Sequence, residues 1–341
     1  MSGSLRVAIV GATGLVGEAL LRVLDARRFP VASLAFFAGA RSSGSKLQAL
    51  GAHHDVLEVD ERTPDFSAID LAFFAAGAEV SRMLAPRAAA AGTLVIDKSS
   101  AFRLDDGVPL IVPEINANAI GDKRLIANPN CAVIPLSVML GPIHRQFGLA
   151  WVSVSTYQSV SGAGKEALLE FESQLAGERM PERVLPRRIA NNVFPENGPF
   201  DDSGYGEEER KIAAEFQKIL DDETIRISAT SVRVPVVVGH GEAVAFATRQ
   251  PASIEDIERI LRSAPGVRFL PGTAYATPIE VTGSDDVIVG RLRPDTAHPG
   301  AYLAWLVCDN LRKGAATNAV QIAEAAYAAQ ATRGLDVGAK A

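Results

Sequence analysis

Leu5 to Val10 is an unbroken apolar run, the pattern of a strand buried on both faces of a parallel sheet. Gly11-Ala-Thr-Gly-Leu-Val-Gly17 follows at once, and Glu18 to Arg28, with leucines at 20, 21 and 24, reads as a helix. Short apolar runs recur at Leu34–Phe37, Val56–Val59, Leu71–Ala75 and Leu94–Ile96, with a helical stretch over Ser81–Ala91 between the last two. Repeated βα units of this kind predict a doubly wound parallel sheet. After Cys131 the pattern changes. Longer strand-like runs appear at Trp151–Tyr157, Ile225–Val238 and Ala243–Arg249, and fewer helices at Lys165–Leu175, Glu207–Leu220 and Ile254–Ser263. This is the pattern of an α+β domain. Glu178 to Tyr205, rich in Pro, Asn, Gly and charge, reads as a long surface excursion. Gly314 to Ala329 reads as an Ala-rich closing helix, and the residues after Thr332 as a frayed end.

The length of 341 residues suggests about two domains. With a formal net charge of −6, nothing points to a basic nucleic-acid surface, although a local basic pocket for a small anion remains open. Cys131 and Cys308 are the two cysteines. They are too few for a disulfide framework or a thiolate metal site, so no metal is expected. A reducing compartment fits, the N-terminus does not read as a signal peptide, and no apolar run is long enough to span a bilayer. The expectation is a cytoplasmic protein without nucleic-acid or membrane partners.

Gly11, Gly14 and Gly17 sit between a strand and a helix, which is the context a dinucleotide pyrophosphate requires. The first allows a tight turn, the second a close backbone approach, and the third close helix–strand packing; the helix N-terminus then faces the phosphates. A plain strand–helix turn is the alternative. An acid that would hold a ribose 2′-OH is missing after Leu34–Phe37. Arg41 and Ser42 stand there instead and suit the 2′-phosphate of NADP. A lone loop arginine is ordinarily a solvated charge, so position carries this assignment.

Asn128-Pro-Asn-Cys131 precedes the helix-like run Ala132–Leu140. A thiol at a helix start ionises more readily, and nearby N–H groups can hold an oxyanion. Cys308, inside the apolar run Leu303–Cys308, reads as a small buried hydrophobe. Of five histidines, His53, His54 and His144 need no functional reading, and His298 sits in a turn-like segment. His240, flanked by Gly239 and Gly241 after the apolar run Val234–Val238, has the placement of a base at the end of a strand. The residues alone leave its role open.

Taken together, these motifs resemble those of the aspartate-semialdehyde dehydrogenase family over nearly the whole chain. They are Gly11–Gly17, Ser99-Ser-Ala-Phe-Arg103, Asn128-Pro-Asn-Cys131, Ser155-Thr-Tyr-Gln158 with Ser161-Gly-Ala-Gly164, Val232-Arg-Val-Pro235 leading to Gly239-His240, and Asp309–Ala316. The resemblance implies an α/β chain. A Rossmann-like NADP-binding domain (1–130 with the C-terminal helix 310–341) would accompany an α+β catalytic and dimerisation domain (131–309) that forms a homodimer. It implies Cys131 as the acyl-thioester nucleophile, His240 as acid/base and Gln158 as a substrate-orienting group. Glu208 and Arg233 would bind the amino and carboxylate ends, and Arg103, Asn130 and Lys211 the phosphate. Gly11, Thr13, Gly14, Leu15, Val16, Gly17, Arg41, Ser42, Ser161, Gly162 and Asn310 would line the cofactor site. The implied reaction is NADPH-dependent reductive dephosphorylation of L-aspartyl-4-phosphate to L-aspartate 4-semialdehyde and phosphate. It would feed lysine, diaminopimelate, threonine and methionine biosynthesis. Lys98, Ala132 and Ser231 depart from residues frequent in the family. An N-acetyl-gamma-glutamyl-phosphate reductase, which usually has Gly before and an aromatic after its cysteine, is disfavoured by Asn130 and Ala132. A silent nucleotide-binding paralogue should have lost the cysteine or the histidine.

Overall fold

The computed structural model describes residues 4–60, 64–178 and 183–332; the end after Thr332, read above as frayed, lies outside the described residues. Two compact units are present, Met1–Pro129 with Ala315–Ala341, and Asn130–Gly314.

The first unit contains β1 (Leu5–Val10), α1 (Leu15–Ala26), β2 (Val31–Ala38), β3 (Lys46–Ala49), β4 (Ala52–Glu58), β5 (Leu71–Phe74), α2 (Ala78–Ala90), β6 (Leu94–Asp97), α3 (Pro113–Asn116) and β7 (Leu125–Ala127). Its sheet runs in the order β3-β4-β2-β1-β5-β6-β7. Every pairing is parallel except β3 with β4. Central β1 is buried on both faces, with Val7 to Val10 fully excluded from solvent. The β3–β4 hairpin and β7 carry no strong periodicity. β3 is half polar and β7 has three residues, so tertiary pairing rather than local pattern makes them strands.

The second unit contains α4 (Val133–Phe147), β8 (Leu149–Gln158), α5 (Lys165–Ala176), α6 (Glu207–Leu220), β9 (Arg226–Arg233), β10 (His240–Thr248), α7 (Ile254–Ser263), β11 (Val267–Phe269), α8 (Pro278–Val281), β12 (Val287–Pro294) and β13 (Ala301–Cys308). The closing helix α9 (Thr317–Thr332) belongs to the first unit. The second sheet is mixed, in the order β11-β12-β13-β10-β8-β9. One face is buried and carries Val152, Val154, Thr156 and Gln158 of β8 and His240, Glu242, Val244 and Phe246 of β10. On the other face lie Tyr157, Ala243 and Trp305, with the Tyr157 and Trp305 rings 5.7 Å apart.

Two expectations change. The run Ile225–Val238 is not one strand: β9 ends at Arg233, ahead of Pro235, which has no N–H to give a ladder. His240 therefore opens β10 rather than closing a strand. The excursion before Tyr205 is also tied down. Glu170 Oε2 accepts the Val184 and Leu185 N–H groups at 2.7 and 3.0 Å. Gln174 Oε1 accepts those of Ile189 and Ala190 at 2.9 and 3.0 Å. Leu185, Ile189 and Phe194 pack with Phe171 in one apolar cluster. Composition marked this segment as polar, but its few apolar residues and the i, i+4 pair on α5 decide where it goes.

Glu242 is fully buried, and neither carboxylate oxygen has a hydrogen-bond partner. Burial pushes its carboxyl well above the usual range. The folded state therefore holds a proton that the unfolded chain releases once pH exceeds the ordinary carboxylate value of 4.5. Stability should fall as pH rises from there, by up to about 1.4 kcal/mol per unit until the raised pKa is passed. Glu242→Met keeps the volume and removes the titration. Its melting temperature should exceed the parent's clearly at pH 8 and little at pH 5; equal differences at both would show that Glu242 does not titrate this way.

Candidate active site

In the first unit the β1–α1 turn is shaped by its glycines. Gly11 has φ +93°, and a Cβ there would lie 2.6 Å from the Ala75 carbonyl; one on Gly17 would lie 2.4 Å from Gly11 O. Both positions exclude any side chain. Gly14 is the N-cap of α1 and meets nothing closer than 3.5 Å. It makes no side-chain cap, so the first-turn N–H groups of Leu15 to Gly17 have no capping oxygen. Thr13, Leu15 and Val16 are half-buried around this turn. Arg41 is exposed and Ser42 half-buried in the turn after β2, where Ser42 N–H donates to Gly39 O at 2.9 Å.

Arg103, also in this unit, is buried, and donates from Nε to Asn128 O at 3.1 Å and from Nη2 to Lys98 O at 2.8 Å. Lys98 therefore contributes its carbonyl here, which any residue supplies, and its departure from the family pattern leaves this contact intact.

The second unit brings Cys131 and His240 together. Cys131 lies just before the N-cap of α4, Ala132. Asn130 Oδ1 accepts the Ala132 N–H at 2.8 Å, so Asn130 supplies the cap that Ala132 cannot. Gly314 backs the cysteine: a Cβ there would lie 3.2 Å from Cys131 Cβ. Cys131 Sγ is 3.3 Å from His240 Nε2. The other ring nitrogen, Nδ1, meets Ser159 N–H and Ser159 Oγ, both at 3.1 Å. A half-buried thiol against a fully buried imidazole is the geometry of an activated cysteine.

Polar groups surround this pair. Glu208 Oε1 accepts from Asn130 Nδ2 at 2.8 Å and from Gln158 Nε2 at 3.1 Å. Arg233 closes β9, pairs through its backbone with Phe194, and donates from Nη1 to Ser159 O at 2.7 Å. Its Nε is buried without a partner. Burial lowers the guanidinium's pKa, while Glu208 and Cys131 raise it. A buried guanidinium with an unused N–H is prepared for an incoming anion. Gly162 fits between Arg233 and His240, since a Cβ there would approach Nη1 to 3.0 Å and Cε1 to 3.2 Å. Lys211 is half-buried and paired within its own helix, 2.5 Å from the exposed Glu207. Ser161 and Asn310 are buried and joined, with Asn310 Nδ2 donating to Ser161 Oγ at 3.0 Å. Ser231 is satisfied by Asn197 Nδ2 at 2.7 Å, so its departure leaves no open polar group.

Two residues of this cluster escaped the sequence reading. Glu215 is buried on α6 and accepts the Asn130 N–H at 2.7 Å. Its spacing from Glu208 and Lys211, i+7 and i+4, was the available signal. Ser159 lay between two motifs and had none. The remaining histidines are elsewhere. His298 is mostly exposed, bonded to Asp295 at 2.9 Å and set against Trp151. Trp151 pairs near the far end of β10, at Ala247, about 20 Å along the strand from His240. His144 accepts the Leu149 N–H at 3.1 Å, and burial lowers its pKa. Cys308 is fully buried, and burial pushes its thiol well up.

Among the described residues, no group of three or more His, Cys, Asp or Glu could hold a metal ion, and no helix is long and apolar enough to cross a membrane. Residues 6–123 match the family model described as semialdehyde dehydrogenase, NAD binding domain, and residues 140–313 the one described as semialdehyde dehydrogenase, dimerisation domain. An aspartate-semialdehyde dehydrogenase from Legionella pneumophila is 47% identical over 335 residues, 95% of this chain and 96% of the relative. Another from Shewanella violacea is 45% identical over 333 residues, 95% and 98% of the two chains. The crystal structure of aspartate semialdehyde dehydrogenase II from Vibrio cholerae, complexed with ASA, superposes with a TM-score of 0.92 at 42% identity, over 96% of this chain and 99% of that one. Likeness at this identity over almost the full length, carried by both family models, assigns the chain: it belongs to the aspartate-semialdehyde dehydrogenase family.

Proposed function

We propose that the chain catalyses the reversible, NADPH-dependent reductive dephosphorylation of L-aspartyl-4-phosphate to L-aspartate 4-semialdehyde and phosphate, in the biosynthesis of lysine, diaminopimelate, threonine and methionine. The observation that carries this is Cys131 Sγ 3.3 Å from His240 Nε2, with the buried Arg233 guanidinium in the same cluster. His240 Nε2 takes the thiol proton, and the thiolate attacks the acyl carbon. The carbon–oxygen bond to phosphate breaks and phosphate leaves with the electron pair, so a thioester remains on Cys131. NADPH, when bound, supplies the hydride that reduces this thioester. His240 then passes its Nε2 proton to the oxyanion. It recovers that proton as the carbon–sulfur bond breaks and the pair returns to sulfur. The α4 N-terminus beside Cys131 favours both the thiolate and the oxyanion.

Arg233, with its unused Nε–H, binds the substrate carboxylate, and Glu208 its amino group. Gln158 orients the reacting end. Arg103, Asn130 and Lys211 bind the phosphate, and Lys211 exchanges Glu207 for it. The β1–α1 turn fits a dinucleotide because Gly11 and Gly17 leave no room for side chains and Gly14 leaves the helix start uncapped. Gly11, Thr13, Gly14, Leu15, Val16 and Gly17 would hold the pyrophosphate, and Arg41 with Ser42 the 2′-phosphate that selects NADP. Ser161, Gly162 and Asn310 would support the nicotinamide end. The first unit serves as the NADP-binding domain and the second, which also takes in Asn130 and residues 310–314, as the catalytic and dimerisation domain. The partly exposed sheet face bearing Tyr157, Ala243 and Trp305 forms the homodimer interface. Cys131 and Cys308, as thiols, suit the cytoplasm.

The test is NADP reduction with aspartate semialdehyde, which must depend on added phosphate. In the same assay and by titration calorimetry, Arg41→Ala should weaken NADP about ten- to a hundredfold and NAD far less. Equal weakening of both would remove Arg41 from the 2′-phosphate, and phosphate-independent turnover would sink the reaction itself.

A further inference from the structure

The buried residues of α6 are Ile212, Glu215, Phe216 and Ile219, whose spacing of three and four puts them on one face. The helix packs on α4 and β9. An apolar residue would fill the place of Glu215 at no polar cost. A carboxylate shut away from water there is tolerated only where donors meet it. The Asn130 N–H is such a donor, 2.7 Å from Glu215 Oε2. This contact has one direction, because a backbone N–H can only donate.

Asn130 is held at four polar groups. Its N–H goes to Glu215, and its carbonyl accepts the Ile134 N–H at 3.1 Å. Its Oδ1 accepts the Ala132 N–H, and its Nδ2 donates to Glu208 Oε1, both at 2.8 Å. The Ala132 N–H identifies the oxygen end of the amide, so each of these bonds has a fixed direction. Two of them tie Asn130 to the start of α4. The other two come from α6, from residues seven apart, roughly 10 Å along the helix axis. Cys131 is the next residue, so the place of Asn130 sets the place of Sγ, 3.3 Å from His240 Nε2. Glu208 holds the Asn130 side chain and also takes the Gln158 hydrogen bond. Glu215 holds the main chain itself.

We infer that Glu215 is a positioning residue for Cys131: by holding the Asn130 N–H from α6, it fixes the entry to α4 so that Sγ stays beside His240 Nε2. The inference rests on the nucleophile role given to Cys131 above. Glu215 acts through Asn130, and the substrate groups are left to Arg233, Glu208 and Gln158.

Three substitutions separate the hydrogen bond from the space it occupies. Glu215→Gln keeps the length and an acceptor oxygen. Glu215→Met keeps the length without that oxygen. Glu215→Asp withdraws the carboxylate by one methylene. Each is made in a Cys308→Ser background, so that one thiol reports, and checked by its melting curve. Without substrate, iodoacetamide should alkylate Cys131 in Glu215→Gln within about twofold of the parent rate at neutral pH. Glu215→Met and Glu215→Asp should react about tenfold more slowly, because the thiolate loses its place beside Nε2 and the helix start. A side chain that only filled space would leave these rates unchanged, or raise them as the site loosened. In turnover, the same two variants should lower kcat roughly a hundredfold and change KM little, since misplacing a reacting atom costs the chemical step. Parent-like alkylation in folded Glu215→Met overturns the inference, and Glu215→Asp carries the same test if the methionine variant does not fold. Glu215→Gln as slow as Glu215→Met overturns it too, since the acceptor oxygen would then not be what matters. So does rapid hydrogen exchange of the Asn130 amide in the parent, with no variant needed. A parent without phosphate-dependent turnover would instead count against the proposed reaction, and leaves the alkylation comparison valid.

Discussion

Cys131→Ser should lose turnover by at least about a thousandfold while titrating with NADP much as the parent does. The thiol does two things that a hydroxyl does poorly. A thiol ionises more readily than a hydroxyl, and the α4 N-terminus and His240 Nε2 at 3.3 Å favour the anion. It also departs as an anion when the hemithioacetal collapses, whereas an alkoxide is a poor leaving group. A serine of similar shape should leave the Asn130 cap and the packing on Gly314 in place, so the loss should not be one of folding. Single-turnover kinetics and a melting curve on the same sample check both parts. Cys308→Ser is the control. That thiol is fully buried and bonded to Asp309 O at 3.5 Å, so turnover should change by less than about tenfold. Turnover by Cys131→Ser within tenfold of the parent would end the nucleophile assignment.

His240→Asn and Arg233→Lys should fail in different parameters. Proton transfer is needed mainly in the transition state, so His240→Asn should lower kcat about 10²- to 10⁴-fold with a smaller effect on KM. Lysine at 233 keeps a charge, but loses the planar fork and the Nη1 bond to Ser159 O. Its main effect should be a rise in substrate KM of about ten- to a hundredfold. A smaller fall in kcat should accompany it, because the same Ser159 holds the imidazole. Steady-state kinetics on both variants is the check. Near-normal kcat in His240→Asn would place the proton chemistry elsewhere, although His298 is a poor substitute on the exposed end of the sheet.

Much of this protein was legible as pattern. β1, the glycine turn, α1 and the βα alternation follow from local rules: burial on both faces writes an unbroken apolar run, and a tight turn writes glycine. Helices α5, α6 and α7 sit within a residue of where periodicity put them, for the same reason. Cys131 stood out because polar turn residues precede it, and His240 because glycines flank it.

What local rules could not carry was anything requiring two distant segments. β3 and β7 exist only because neighbours offer them hydrogen bonds. The segment before Tyr205 looked like solvent-exposed loop until Glu170 and Gln174 claimed its N–H groups. That His240, and not His298, lies beside Cys131 is a matter of distance, 3.3 Å across 109 residues of chain. Ser159 shows the limit best. In the sequence it is one serine beside a strand end. Its contacts join the His240 imidazole, 81 residues away, and Asn310, 151 away, in one buried cluster. Residue type determined which chemistry was available to this chain; which atom donates and which accepts was decided only when tertiary packing brought those groups within hydrogen-bond reach, because a hydrogen bond has direction and a sequence does not.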